Sequence, residues 1–198
     1  MFKSSLDDFA GVGVLMQQPN AAGVAALRLL PVERVLHFGE PAGWRLPNFG
    51  VLPVPVLKSG DLVLAGLPVD IEIEPDYTLM NEDMGEDAQG ERYRVGVSFT
   101  IPKDRPELAM WVATHAGMRW IALLRDRNGY FRVCGTKEQP LRLTWSATPG
   151  SGRAGRSNRN FSLSADSWTP VYFAENISND WLLGTGPYSH EHEATFNL

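Results

Sequence analysis

The sequence predicts a mainly β fold, an antiparallel β-sandwich or β-barrel with one amphipathic helix at about residues 104–117. Three observations predict it. Arg92–Ile101 alternates strictly: Tyr93, Val95, Val97, Phe99 and Ile101 point one way, and Arg92, Arg94, Gly96, Ser98 and Thr100 the other. A period of two gives a strand with one buried face. The apolar run Trp120–Leu124 enters Asp126-Arg127-Asn128-Gly129, and an alternating run leaves it. Asn-Gly tolerates the positive φ of a tight turn, so this is a β-hairpin. Between them, Asp104 and Glu107 stand at capping-box spacing around Pro106. Leu108, Trp111, Val112 and His115 then recur at helical spacing up to Gly117, a natural stop.

In chain order, residues 1–30 read as an N-terminal arm with a short helix at Ala21–Leu30, residues 31–177 as the β-rich domain, and residues 178–198 as a C-terminal tail. Val32–Phe38 reads as a strand. Residues 39–60 are dense in Pro and Gly around Trp44 and Phe49, which favours a long loop over a regular element. Leu62–Leu64 and Val69–Ile73 read as short strands, and residues 74–91 as an acidic, solvated loop. After the hairpin come strands at Leu141–Trp145, Phe161–Ala165 and Val171–Ala174, which makes eight or nine strands and one helix.

Composition bounds the function. The chain has 198 residues, 43% of them hydrophobic, with six Trp and nine Phe, enough for a real core. A net charge of −5 argues against non-specific nucleic-acid binding, which needs a basic surface. The single cysteine, Cys134, excludes an intrachain disulfide framework and reads as a small buried apolar residue. Ala10–Met16 is short and Gly-interrupted, a poor match to a signal peptide, and no run approaches the ~20 apolar residues of a spanning helix. The expectation is a soluble chain.

Charge is segregated. Nine acidic residues lie between Asp70 and Glu91 with no Lys or Arg among them; none lies between Glu138 and Asp166, where Arg142, Arg153, Arg156 and Arg159 occur. Residues 81–87 lack the spacing of a calcium loop. The Gly-rich segment Thr148–Arg159 lacks the ending of a phosphate-binding loop and the interleaved aromatics of a nucleic-acid site. The expectation is a subunit interface in which Glu82, Asp83, Glu86 and Asp87 of one copy meet Arg153, Arg156 and Arg159 of the next. Each exposed pair contributes only ~0.2–1 kcal/mol, so the charges would set register more than affinity. His190 and His192 share a face only in a strand and have no third ligand nearby, so the tail reads as solvated. Glu72 and Glu74 read as edge-strand charge rather than a glycosidic pair. No catalytic, metal or cofactor-binding residue is expected.

The order of an alternating strand ending Ile101-Pro102-Lys103, a helix, an apolar strand into Asp126-Arg127-Asn128-Gly129, then Gly135-Thr136, Pro140-Leu-Arg-Leu143, a loop, Asn160 and Val171-Tyr172-Phe173 resembles structural proteins of the tail modules of tailed bacteriophages and prophages, particularly tail-tube-like proteins. The resemblance covers residues 92–173. It implies subunits that join sheets edge to edge into rings, stacked into a tube through which DNA passes without sequence-specific binding. Its partners would be itself and other tail proteins, with residues 1–30 and 74–91 between rings. It implies assembly in the host cytoplasm, a final place in the virion tail, and neither catalysis nor cofactor, membrane or small-molecule substrate. A non-catalytic carbohydrate- or ligand-binding β-sandwich module is the alternative, for which Trp44, Trp145 and Trp181 are the aromatic candidates.

Overall fold

Five successive apolar side chains, Trp120 to Leu124, cannot all lie on one side of a strand, so a strand built from them has to be covered on both faces. The architecture is arranged around that requirement. The computed structural model describes residues 22–39, 56–71, 78–87, 90–148 and 157–183. The strands are β1 Val24–Pro31, β2 Val35–Phe38, β3 Val56–Leu57, β4 Leu62–Leu64, β5 Val69–Ile71, β6 Leu79–Asp87, β7 Gly90–Pro102, β8 Arg119–Asp126, β9 Phe131–Cys134, β10 Leu141–Thr148, β11 Asn158–Ser167 and β12 Tyr172–Ala174. The helices are α1 Pro106–Thr114 and α2 Asn179–Leu183.

Ten strands form one sheet in the order β3-β12-β9-β8-β10-β11-β7-β6, with β1 on the other edge of β8 and β5 beyond β1; β2 and β4 form a small second sheet. The large sheet is not a closed barrel. It doubles back at β10, which pairs with β8 only at Leu141↔Trp120 and Arg142↔Arg119 before running along β11. The two layers enclose a first core. Trp120, Ala122 and Leu124 of β8 and Leu27 and Leu29 of β1 meet Val95, Val97 and Phe99 of β7 and Phe161 and Leu163 of β11. The other face of β8, Ile121 and Leu123, packs into a second core with Leu62 and Leu64 of β4 and Trp181 and Leu182 of α2. The fold is thus a sandwich with a further layer beneath one sheet.

Helix α1 closes the Trp120 end of the first core, with Trp111 5.9 Å from the Trp120 ring and edge-on to Phe161 at 6.2 Å. His115 stacks on Trp111 at 4.6 Å. The helix is shorter than expected, and its N-cap is Arg105 with no side-chain cap bond. Asp104 does not cap because its carboxylate is taken by Arg159, 2.8 Å away.

Residues 24–30, expected as part of the N-terminal arm, belong to the large sheet. The helix expected at Ala21–Leu30 is strand β1, paired along β8 and, at Leu27–Leu29, with β5. Tertiary pairing on both edges outweighs the helical spacing of Val24, Leu27 and Leu30. The C-terminal boundary moves outward as well: Trp181 and Leu182 are buried, and Arg28 ties α2 to β1 through the Ile177 carbonyl at 2.8 Å and Asn179 Oδ1 at 2.9 Å. Val32–Phe38 splits into a 3₁₀ turn, Val32–Arg34, and β2. The Asn-Gly hairpin forms with only Gly129 at positive φ. Asp126 closes a three-residue loop through its N–H to the Tyr130 carbonyl at 2.9 Å, the longer-loop form of the turn. The loop expected at residues 39–60 contains strand β3, Val56–Leu57; its residues 40–55 lie outside the described residues, as do Glu72, Glu74, His190 and His192.

Candidate assembly surface

Among the described residues, the layer β10-β11-β7-β6 is covered on one face only. Core-facing residues alternate with a second set, and register aligns that second set into rows. Thr144 lies opposite Ser162, which lies opposite Ser98; Ser146 lies opposite Asn160, opposite Thr100; Arg142 lies opposite Ser164, opposite Gly96. Thr144, Ser146, Asn160, Ser162 and Ser164 are exposed. The rows form a flat face of hydroxyl and amide groups, with Thr100 donating to Asn160 Oδ1 at 2.8 Å. Gly96 keeps it level: a Cβ there would collide with Asn81 Oδ1. At one end, Asp166 sits between Arg92 and Arg94, 4.0 and 3.4 Å away, in a depression of about 280 Å³ shared with Asp83 and Glu86.

Both long edges of this layer are open among the described residues. β6 ends the sheet order, and β10 has no partner beyond Arg142 on its β8 side. The two edges differ in charge. β6 carries Glu82, Asp83, Glu86 and Asp87, whereas Thr144–Thr148 carries none and leads into the segment holding Arg153 and Arg156. An unpaired strand edge is a row of unsatisfied N–H and C=O groups, a template for a further strand.

The acidic segment was expected as a loop, and the structure corrects this: residues 79–87 are strand β6, paired with β7 from Leu79↔Ser98 to Asp87↔Gly90. In a strand Glu82 and Asp83 point to opposite faces. Glu82 reaches inward, its Oε1 accepting the Val171 N–H at 2.7 Å, while Asp83 lies on the outer face opposite Arg94. Arg159 is also corrected. It stands in β11, 5% exposed, with its guanidinium 2.8 Å from Asp104 and 4.7 Å from the Trp145 ring centroid. It is held inside the chain and is not a free arginine of the flexible segment. Arg153 and Arg156 lie outside the described residues. Sequence reasoning missed the Asp104–Arg159–Trp145 group. The signal was the inward alternation of Phe161 and Leu163, which carried back two residues puts Arg159 on the core face.

Of the aromatic candidates for a sugar platform, Trp181 is buried and Trp44 lies outside the described residues; Trp145 is half exposed with one face under Arg159. Trp168, half exposed beneath Arg92, was not anticipated. Cys134 is fully buried, and burial first, then the Glu82 carboxylate, pushes its thiol well above the ordinary value against the pull of Arg132. No group of three or more His, Cys, Asp or Glu among the described residues could hold a metal ion. No described helix is long and apolar enough to cross a membrane. No family model, curated protein or solved structure matches the chain.

Proposed function

We propose that this chain is a virion structural protein of a phage tail, whose copies form homo-oligomeric rings of a tube through which DNA passes. One observation carries the reading: a four-stranded layer that, among the described residues, has β6 open along one edge, β10 open beyond Arg142 along the other, and one face without a covering layer. Adding a neighbour's strand to such an edge satisfies the open backbone groups directly. The unlike edges suit head-to-tail closure, in which a heterologous contact repeated by rotation makes a ring. The acidic β6 of one copy would meet the neutral β10 of the next, with Arg153 and Arg156 alongside. The bare face would then form part of the channel wall. Of the arginines on that face, Arg92 and Arg94 lie against Asp166, which leaves phosphate the exposed Arg142 among hydroxyls and amides. In this reading the partners are the chain itself and other tail proteins, and the protein is carried in the virion tail after assembly in the host cytoplasm.

The test is negative-stain microscopy with sedimentation, over a range of concentration and salt. Rings or tubes with a central hole are expected. A monomer throughout, unchanged by replacing both Arg153 and Arg156 with Ser, overturns the reading. Trp168 beside the Asp83–Asp166 depression favours the second reading, a carbohydrate-binding module. Relief of iodide quenching of Trp168 by maltohexaose or chitohexaose, absent in Trp168→Ala, would transfer the weight to it.

A further inference from the structure

β8 and β10 join the two layers through two rungs, and the side chains on those rungs sort by face. Trp120 and Leu141 point into the first core, so Arg119 and Arg142, the next pair along the ladder, point away from it together. Directly opposed side chains of an antiparallel pair have Cβ atoms roughly 4.5–5.5 Å apart, so the two guanidiniums reach the same region of solvent. Like charges placed this way repel. Arg28 faces Asp70, Arg94 faces Asp166, Arg132 faces Asp126 and Arg159 faces Asp104. Arg119 and Arg142 face no such carboxylate among the described residues. Glu138, in the turn before β10, pairs with neither, and the next acid along the chain is Asp166. Arg142 is exposed and Arg119 half-buried, and the exposed Ser164 stands on the other side of Arg142 in the same row.

We propose that Arg119 and Arg142 form a binding site for a doubly charged tetrahedral oxyanion, either inorganic phosphate or the terminal phosphate of a monoester. A guanidinium is a planar fork of N–H donors that matches two oxygens of such an anion, and hydrogen bonds charged on both sides are the strong ones. Two forks set side by side grip the tetrahedron from two directions. Two positive charges with no acid between them also balance two negative ones. A phosphodiester carries a single negative charge, so a nucleic-acid backbone is the poorer ligand, and the site stands independently of the tube reading. Occupancy has a structural consequence too. An ion held by both arginines turns a repulsive rung into an attractive one, at the crease where β8 and β10 share only two.

The experiment is urea unfolding of the full chain at about pH 8, where the phosphate is doubly charged, with sodium chloride holding the ionic strength equal. For a dissociation constant of ~1 mM, ~10 mM inorganic phosphate should lower the unfolding constant about tenfold. Arg119→Gln and Arg142→Gln, measured singly, should each respond by less than about twofold. Without phosphate each variant should be at least as stable as the parent, because the repulsion is gone. Dimethyl phosphate, a diester, should have a clearly smaller effect than phosphate. Glycerol 3-phosphate separates the two sources: a response equal to that of phosphate assigns the site to monoesters, a response to phosphate alone assigns it to the free ion, and both uphold the pair as the site. An equal phosphate response in the parent and both variants overturns the proposal, as does a diester response equal to that of phosphate. Calorimetric titration of phosphate into the folded parent and into Arg142→Gln reads the site without unfolding, and binding that survives unchanged in the variant overturns it as well.

Discussion

The layer holding β8 and the layer holding β7 and β11 are both built of antiparallel ladders but have opposite surroundings. β8 is covered on both faces: Trp120, Ala122 and Leu124 by one core and Ile121 and Leu123 by another. β7 and β11 are covered on one, and their other face shows Ser98, Thr100, Ser162 and Ser164. The difference teaches where stability and availability lie. Changes around β8 should be felt by the whole fold, while changes in the exposed outer rows should be tolerated.

Four substitutions test this contrast by chemical denaturation. Trp120→Ala should be the most damaging, because it empties the first core where α1, β8 and β10 converge; a loss of ~3–5 kcal/mol is expected. Next, Asp104→Ala leaves the Arg159 guanidinium buried without its carboxylate. With Arg159 nearly buried and Asp104 about a quarter exposed, a cost of ~1–3 kcal/mol is expected. Gly135→Ala should cost ~1–2 kcal/mol, since Gly135 has φ +81 and an added Cβ would stand 3.0 Å from Leu141 Cγ. At the other extreme, Ser164→Ala on the bare face should stay within ~0.5 kcal/mol of the parent. A cost above ~1 kcal/mol there would mean that the outer rows are part of the fold's own support and would remove the contrast.

The strands legible in the sequence were those whose local pattern agrees with their environment. β7 alternates because one face is buried, and Trp120–Leu124 is continuous because both are. β6 was illegible because Asn, Asp, Glu and Gly are poor strand formers, and nine residues of pairing with β7 hold it in place regardless. β1 was ambiguous because Val24, Leu27 and Leu30 also fit a helix, and they divide between two cores that no local pattern separates. At the assembly surface the acidic residues were visible, whereas the split between Glu82 inward and Asp83 outward needed the register. The Asp104–Arg159 pair joins residues 55 apart in sequence, and Asp104 looked like a helix cap because a local partner was the only one in view.

The two rungs at Trp120 and Arg119 also fix how the molecule yields to force. A pull along β11 and β7 is shared by ten facing pairs at once, as in shear. Tension that lifts β10 away from β8 meets Leu141 and Arg142 one after the other, as in peeling. Pulled apart there, the two layers should part first at these two rungs, each keeping its own ladder while the core between them meets water.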